Sequence, residues 1–210
     1  DIKPVYLCKK WQIFANDLLV NGLAKNAKQA CYVLPKNWQG LMDSLAIDED
    51  ALVDETARGI SEGLIVGWFQ GEMEFGPRAL GNRSILASPL DPYSTENLNV
   101  YIKHREPFRK FAASVPEELA AEYFDVGPNA RNLATVGRVK QAHRQTFASA
   151  ILGEDIVRVH TVSAEENPLY HRLLLEAGKA TGLPVLYNTS FNLFGDPLVC
   201  TPRDAVRSFY

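Results

Sequence analysis

Apolar residues recur along this chain at two spacings, one typical of helices and the other of strands. Helical spacing predicts a helix over residues 50–61, stopped by Gly63, and another from Pro168 to Gly182. Short apolar runs predict strands over residues 64–70, 111–115, 146–151, 156–162 and 184–187. Because strands and helices alternate, the predicted fold class is α/β, with a twisted open mixed sheet flanked by helices.

Other segments give weaker patterns. Residues 84–87 form a short apolar piece, residues 117–124 are predicted to be helical, and the polar, basic residues 127–144 predict a surface excursion. A further helix is predicted to start near Ser94. Its expected apolar stripe consists of Leu98, Tyr101 and Ile102.

The two ends of the chain differ from its middle. Residues 1–45 lack a clean period, so we interpret residues 1–49 as a linking arm or the remnant of a preceding domain, and residues 50–210 as one domain. Near the other end, Thr201, Pro202 and Asp204 form a capping-box-like helix start that no C-cap signal closes. We therefore expect the chain to be a piece of a longer protein.

Composition narrows the class of protein. The apolar fraction of 46% and charged fraction of 22% are typical of a soluble domain with a sizeable core. A net charge of −3 argues against general nucleic-acid binding, and no apolar run is long enough to predict a membrane span. The three cysteines are widely spaced, which disfavours a disulfide framework or zinc site and favours a cytoplasmic location.

Positive charge is concentrated in one segment. Residues 76–110 contain six basic and three acidic residues, although the whole chain is acidic. Arg78 and Arg83 lie in a Gly-rich loop after a predicted strand, where open α/β sheets bind ligands. Guanidinium groups match phosphate oxygens in pairs, so the segment predicts a phosphate site. The alternative is a solvated basic surface.

A second polar group follows a predicted strand. The segment Asn188-Thr189-Ser190-Phe191-Asn192 offers amides and hydroxyls that can donate to a carbonyl or phosphoryl oxygen. The alternative is an Asx-type turn. The four histidines have no metal-ligand spacing, and the Walker lysine and dinucleotide-fold glycine spacing are both lacking.

Four blocks together resemble one enzyme family. Residues 67–86, GWFQGEMEFGPRALGNRSIL, closely resemble the hallmark of the O-carbamoyltransferases of antibiotic and nodulation-factor biosynthesis. The other blocks follow in the family's order: residues 99–111, which contain IKHREPFR from residue 102, then GLPVLYNTSFN from residue 182, and DPLV with TPRDA from residue 196. The resemblance covers roughly residues 50–210.

The resemblance implies a fold and a reaction. It implies the threonylcarbamoyl-adenylate synthase (YrdC-like) fold, with a positively charged concave face. It implies that carbamoyl phosphate is hydrolysed to carbamate, which attacks the α-phosphate of ATP, brought with Mg²⁺, to give carbamoyl adenylate. A separate N-terminal, actin-like domain with an iron site, absent here, would then transfer the carbamoyl group to a hydroxyl. Homodimer formation is left open.

The resemblance also implies roles for individual residues. Lys103, Ser190 and Asn192 would bind carbamoyl phosphate, Arg109 would bind a phosphate group, and these four form the predicted catalytic set. The wider phosphate-binding set adds Arg78, Arg83, Arg105, Arg158, Asn188 and Thr189. No metal ligand is expected in this part of the protein.

The chain departs from the family pattern in two places. Lys110 and Ala113 stand where prolines are usual. A usual His-x-Asp-Gly-Thr-x-Arg run is replaced over residues 152–158, where only Arg158 is kept, and His160 stands in place of glutamine. We expect Asp155 to repel the polyphosphate, with Arg158 neutralising it locally, so that ATP binds weakly and depends strictly on Mg²⁺.

Three functions follow as hypotheses. The leading one is an enzyme domain that makes carbamoyl adenylate. The second is a divergent module that binds nucleotide or carbamoyl phosphate without turnover, which the altered 152–156 run favours. A phosphorylated-RNA or nucleotide sensor is the third, and it depends on the basic cluster alone.

Overall fold

The computed structural model describes residues 49–209, so the predicted arm of residues 1–49 lies outside them except for Glu49. The strands are β1 (Val66–Phe69), β2 (Arg83–Ala87), β3 (Ala112–Pro116), β4 (Phe124–Asp125), β5 (Val136–Val139), β6 (Ile156–Val162) and β7 (Leu186–Ser190). The α-helices are α1 (Glu49–Ser61), α2 (Ser94–Asn97), α3 (Ala120–Tyr123), α4 (Pro168–Thr181) and α5 (Pro202–Phe209).

All seven strands belong to one open sheet in the order β1-β2-β7-β3-β6-β5-β4. The β3–β6 pair is parallel and the other neighbours are antiparallel. The predicted α/β class with a mixed sheet is therefore confirmed. The likeness to the threonylcarbamoyl-adenylate synthase fold and the charged concave face remain predictions.

Apolar side chains cover both faces of the sheet. On one face α1 packs against α4, and their buried residues meet Val66, Leu86 and Leu186 of the strands. The alternate strand residues Ile85 and Tyr187 point into the other core, which contains Phe147. This alternation follows from the two-residue period of a strand. Among residues 49–209, no helix is both long and apolar enough to cross a membrane.

The predicted helix signals are confirmed at three ends. The Asn167 side chain accepts a hydrogen bond from the Tyr170 N–H at 3.3 Å, and Gly182 closes α4 in the left-handed region with φ of 79°. At the start of α5, the Asp204 carboxylate accepts from the Thr201 N–H at 2.8 Å. The Thr201 hydroxyl in turn accepts from the Asp204 N–H at 3.2 Å, which completes the capping box.

Some predicted elements are wrong. Residues 146–151 form turns, in which the Ala150 N–H donates to the Phe147 carbonyl at 2.8 Å. Phe147 is buried and packs against the Phe124 ring. Its apolar character therefore reflects packing in the core, and it does not indicate a strand. Residues 127–144 are more than a surface excursion, because they contain β5, which pairs with β4 and β6.

Three further predictions need smaller corrections. Residues 84–87 lie within β2, and residues 117–124 form a 3₁₀ turn followed by the short α3. In the predicted apolar stripe, Leu98 is buried but Tyr101 is 62% exposed. The reason is that residues Leu98–Ile102 form a π-helical turn, whose wider winding rotates side chains away from α-helical positions.

The predicted strand over residues 184–187 is shifted along the chain. β7 is Leu186–Ser190, so three of the polar residues assigned to a loop lie in the sheet. Asn188 pairs with Leu86 of β2 and with Ala112 of β3. Sheet pairing therefore holds the backbone of these polar residues rigidly.

We predict that Gly81→Ala destabilises the fold by about 3 kcal/mol or more. Gly81 has φ of 100°, and an added Cβ would lie 2.1 Å from Cδ1 of the buried Tyr170. Chemical denaturation measures the loss. Gly127→Ala is the matched control, since a Cβ there would lie more than 4 Å from every other described residue that it could meet. Equal stability of the two variants would contradict the prediction.

Candidate functional site

The site begins where the π-helical turn ends. The Lys103 N–H donates to the Leu98 carbonyl at 2.8 Å, a bond that spans five residues. π-type turns inside helices occur frequently at functional sites. This turn brings Lys103 to the end of β7, beside Ser190 and Asn192.

Lys103 is 5% exposed, and its partners within residues 49–209 are neutral oxygens. Its ammonium donates to the carbonyl and side-chain oxygens of Asn192 at 2.8 and 2.7 Å, and also to the Ser190 carbonyl. The Ser190 hydroxyl donates to the Asn192 amide oxygen at 2.7 Å. Burial, and secondly Arg105, lowers the pKa of Lys103 to about 7. A buried cation without a carboxylate partner is suited to an anionic ligand.

Four arginines extend this positive charge. Burial lowers the pKa of Arg105, and the nearby charges of Arg109 and Arg158 lower it further. Burial also lowers the pKa of Arg158, with Arg78 as the second cause. The structure thus brings Arg78, Arg105, Arg109 and Arg158 into one electrostatic cluster with Lys103. We call these five residues the cationic cluster.

Asn99 organises part of this cluster, and the sequence patterns did not single it out as a site residue. It is fully buried, its Oδ1 accepts from Arg105 Nε at 2.7 Å, and its Nδ2 donates to the Arg109 carbonyl at 2.8 Å. Its place at the start of the family block over residues 99–111 was the available signal. Arg109 itself is half exposed and pairs with Glu106 at 2.8 Å, a surface pair that a stronger anion can displace.

The guanidinium of Arg83 is occupied by backbone carbonyl groups. Its guanidinium donates to the backbone carbonyls of Gln70, Gly71, Asn82 and Cys200, and it stacks over the Phe69 ring at 3.6 Å. These contacts hold the loop of residues 70–82 between β1 and β2, which we call the signature loop. Its predicted role on a phosphate stays a prediction, since most of its donors are already used.

Glu74 shapes the same loop from within. Its Oε1 accepts from the backbone N–H groups of Leu80, Asn82 and Arg83 at 2.7, 2.8 and 3.3 Å. Three converging donors make a carboxylate a good internal anchor. The loop that presents Arg78 is therefore built around Glu74, a residue that the charge pattern alone did not reveal.

A buried polar network lies beneath β7. Asn188 is buried, and its Nδ2 donates to the Ala79 carbonyl at 3.1 Å and the Ser114 hydroxyl at 3.2 Å. Ser114 in turn lies 2.9 Å from His160 Nδ1. Burial lowers the pKa of His160 to about 4, so its imidazole stays neutral near pH 7. Asn188 thus supports the loop and strand around the site, while its role toward ligand remains a prediction.

The altered run over residues 152–158 has a local structural explanation. Glu154 and Asp155 both have positive φ, and the Ile156 N–H donates to the Gly153 carbonyl at 2.8 Å, which defines a tight turn before β6. Arg144 pairs with the Asp155 carboxylate at 2.7 Å. The expectation that Arg158 neutralises Asp155 is therefore wrong. The Arg158 guanidinium donates to the Lys110 carbonyl.

A cleft opens beside the cationic cluster. It has a volume of about 420 Å³ and is lined by His104, Arg105, Glu106, Arg109 and Phe194. Within residues 49–209, no group of three or more histidine, cysteine and acidic side chains could hold a metal ion.

These features define a class of domain: an α/β domain with a buried lysine and a cluster of arginines beside a cleft. The family model described as "Carbamoyltransferase C-terminus" matches residues 57–210. The chain belongs to this family. Membership agrees with the resemblance of its four sequence blocks.

Similarity to individual proteins supports membership of this family. The chain is 37% identical to nodulation protein NolO of Bradyrhizobium diazoefficiens, with 82% of this chain and 32% of the relative covered. It is 34% identical to the 3'-hydroxymethylcephem-O-carbamoyltransferase of Streptomyces clavuligerus, over 82% of this chain and 31% of the relative. Nodulation protein U of Azorhizobium caulinodans is 32% identical, over 88% and 30%. The chain thus spans about a third of these relatives.

We predict that Lys103 makes folding stability depend on pH. Its folded pKa lies near 7, against an ordinary value of 10.5, so between these values the unfolded chain holds more protons. The stability of the protein should therefore rise above pH 7, relative to Lys103→Met, by about 1 kcal/mol per pH unit. Denaturation of both proteins from pH 6 to 9 measures this difference. Parallel stability curves would contradict the prediction.

Proposed function

We propose that this domain binds carbamoyl phosphate and ATP and forms carbamoyl adenylate. The observation that carries the proposal is the buried Lys103 ammonium, which has neutral partners and lies in a cluster with four arginines. Both proposed substrates are polyanions. Neutralising their mutual repulsion and aligning their reacting atoms is the main task of such a site.

The proposed reaction has two steps. Carbamoyl phosphate is first hydrolysed to carbamate and phosphate. A carbamate oxygen then attacks the α-phosphorus of ATP, the bond from that phosphorus to the β-phosphate oxygen breaks, and pyrophosphate leaves. Lys103, Ser190 and Asn192 would hold carbamoyl phosphate. Arg109 and the other arginines would stabilise charge that develops on the transferring phosphoryl group.

Transfer to an acceptor requires a further site. The named relatives are about three times as long as the matched region, and one is an O-carbamoyltransferase by name. We therefore assign transfer to a hydroxyl to a region of the protein outside residues 49–209. Mg²⁺ would enter with ATP, bound chiefly by the phosphate oxygens.

We predict that the protein releases pyrophosphate from ATP only when carbamoyl phosphate is also present. Carbamate supplies the attacking oxygen, so omission of either substrate should abolish the signal. A coupled pyrophosphate assay with chromatographic detection of carbamoyl adenylate measures this. Tight binding of both compounds without pyrophosphate would instead favour a binding module without turnover. Release of ADP would contradict the proposed reaction.

We also predict that Arg109→Ala lowers turnover by about 100-fold, because it removes a charge-assisted contact from the transition state. Arg109→Lys should recover little of the loss, since an ammonium cannot reproduce a guanidinium fork. Arg58→Ala is the matched control, since the Arg58 side chain is 66% exposed on α1, pairs with Glu55 at 3.6 Å and does not belong to the cationic cluster. Wild-type turnover by Arg109→Ala would remove this residue from the site.

A further inference from the structure

The cleft beside the cationic cluster contains one large apolar side chain. Phe194 is 70% exposed, although the other residues that line the cleft are charged or polar. Leaving an aromatic ring in water is unfavourable, so an exposed ring inside a polar cleft suggests a ligand that covers it. A volume of about 420 Å³ lies within the range of small-molecule sites.

The position of Phe194 is tied to the cationic cluster. Gly195 turns the chain with φ of 80°, and the Asn192 amide donates to the Asp196 carbonyl at 2.8 Å across this turn. The same Asn192 accepts from the Lys103 ammonium at 2.7 Å. The aromatic ring is thus presented by a short turn whose base is fixed to the buried lysine.

Two kinds of chemistry therefore meet in one cleft. Arg105 and Arg109 supply charge for phosphate groups, and Phe194 supplies an apolar face. A nucleotide carries both matching parts, a polyphosphate and a flat base. Bases stack on aromatic side chains because each base has a π-face, and such stacking contributes substantially to affinity.

We propose that Phe194 stacks on the base of the nucleotide whose phosphates are held by the cationic cluster. This proposal rests on the proposed function, which supplies ATP as the nucleotide. It assigns to Phe194 a role in affinity for the base, beside the proposed role of the cationic cluster in binding the phosphates. The exposed rings of Phe75 and Phe108 are not among the residues that line this cleft.

The test compares two probes, ATP and inorganic tripolyphosphate, which lacks the base. Binding of each to the complete chain is measured by calorimetry for the wild-type protein, Phe194→Ala and Phe194→Tyr. Phe194→Ala should weaken ATP binding about tenfold and leave tripolyphosphate binding within about twofold. Phe194→Tyr keeps the ring and should bind ATP within about threefold of the wild type. Tyr93→Ala, which removes another exposed ring outside the cleft, should bind both probes normally.

The two-probe design separates the proposals. Equal weakening of both probes by Phe194→Ala, unchanged binding of both, or no ATP binding by the wild type would each overturn the stacking assignment. Selective loss of ATP binding supports it, even when the wild type releases no pyrophosphate, in which case the proposed reaction alone fails. Retained tripolyphosphate binding also shows that the variant has kept its folded cationic cluster.

Discussion

The structure depends most on a single constraint, the burial of the Lys103 ammonium without a carboxylate partner. A buried charge is costly, and the oxygens of Ser190 and Asn192 offset only part of that cost, because the pKa of Lys103 is lowered to about 7. These oxygens must be held in place by the backbone. Pairing of β7 with β2 and β3 provides that rigidity, so the sheet and the site form one physical unit.

Buried polar groups hold the loops around this lysine. Glu74 organises the signature loop through three backbone N–H groups, and Arg83 ties it to the carbonyls of Gln70 and Cys200. Asn99 does the same for the segment that carries Arg105 and Arg109. Charged residues that are close together in the sequence therefore have different roles. Some hold the architecture, and others leave their charge available at the cleft.

The departure from the family pattern is accommodated locally. Glu154 and Asp155 form a tight turn with positive φ, and Arg144 neutralises Asp155. The retained Arg158 lies on β6 and remains a member of the cationic cluster. The altered run thus keeps Arg158, its one residue with a predicted phosphate-binding role. The tight turn accommodates the changed sequence before β6 begins.

The sequence by itself determined the helices with strong caps, the α/β class and the family, because these depend on local hydrogen bonding, periodicity and contiguous residues. It also predicted Lys103, Arg109, Ser190 and Asn192 as one set. Only the tertiary structure decided that Arg83 serves the loop, that residues 146–151 pack as turns, and that Phe194 enters the cleft. Those outcomes depend on contacts between segments that are far apart in the sequence, such as the one between Arg83 and Cys200. A local sequence pattern cannot predict such contacts.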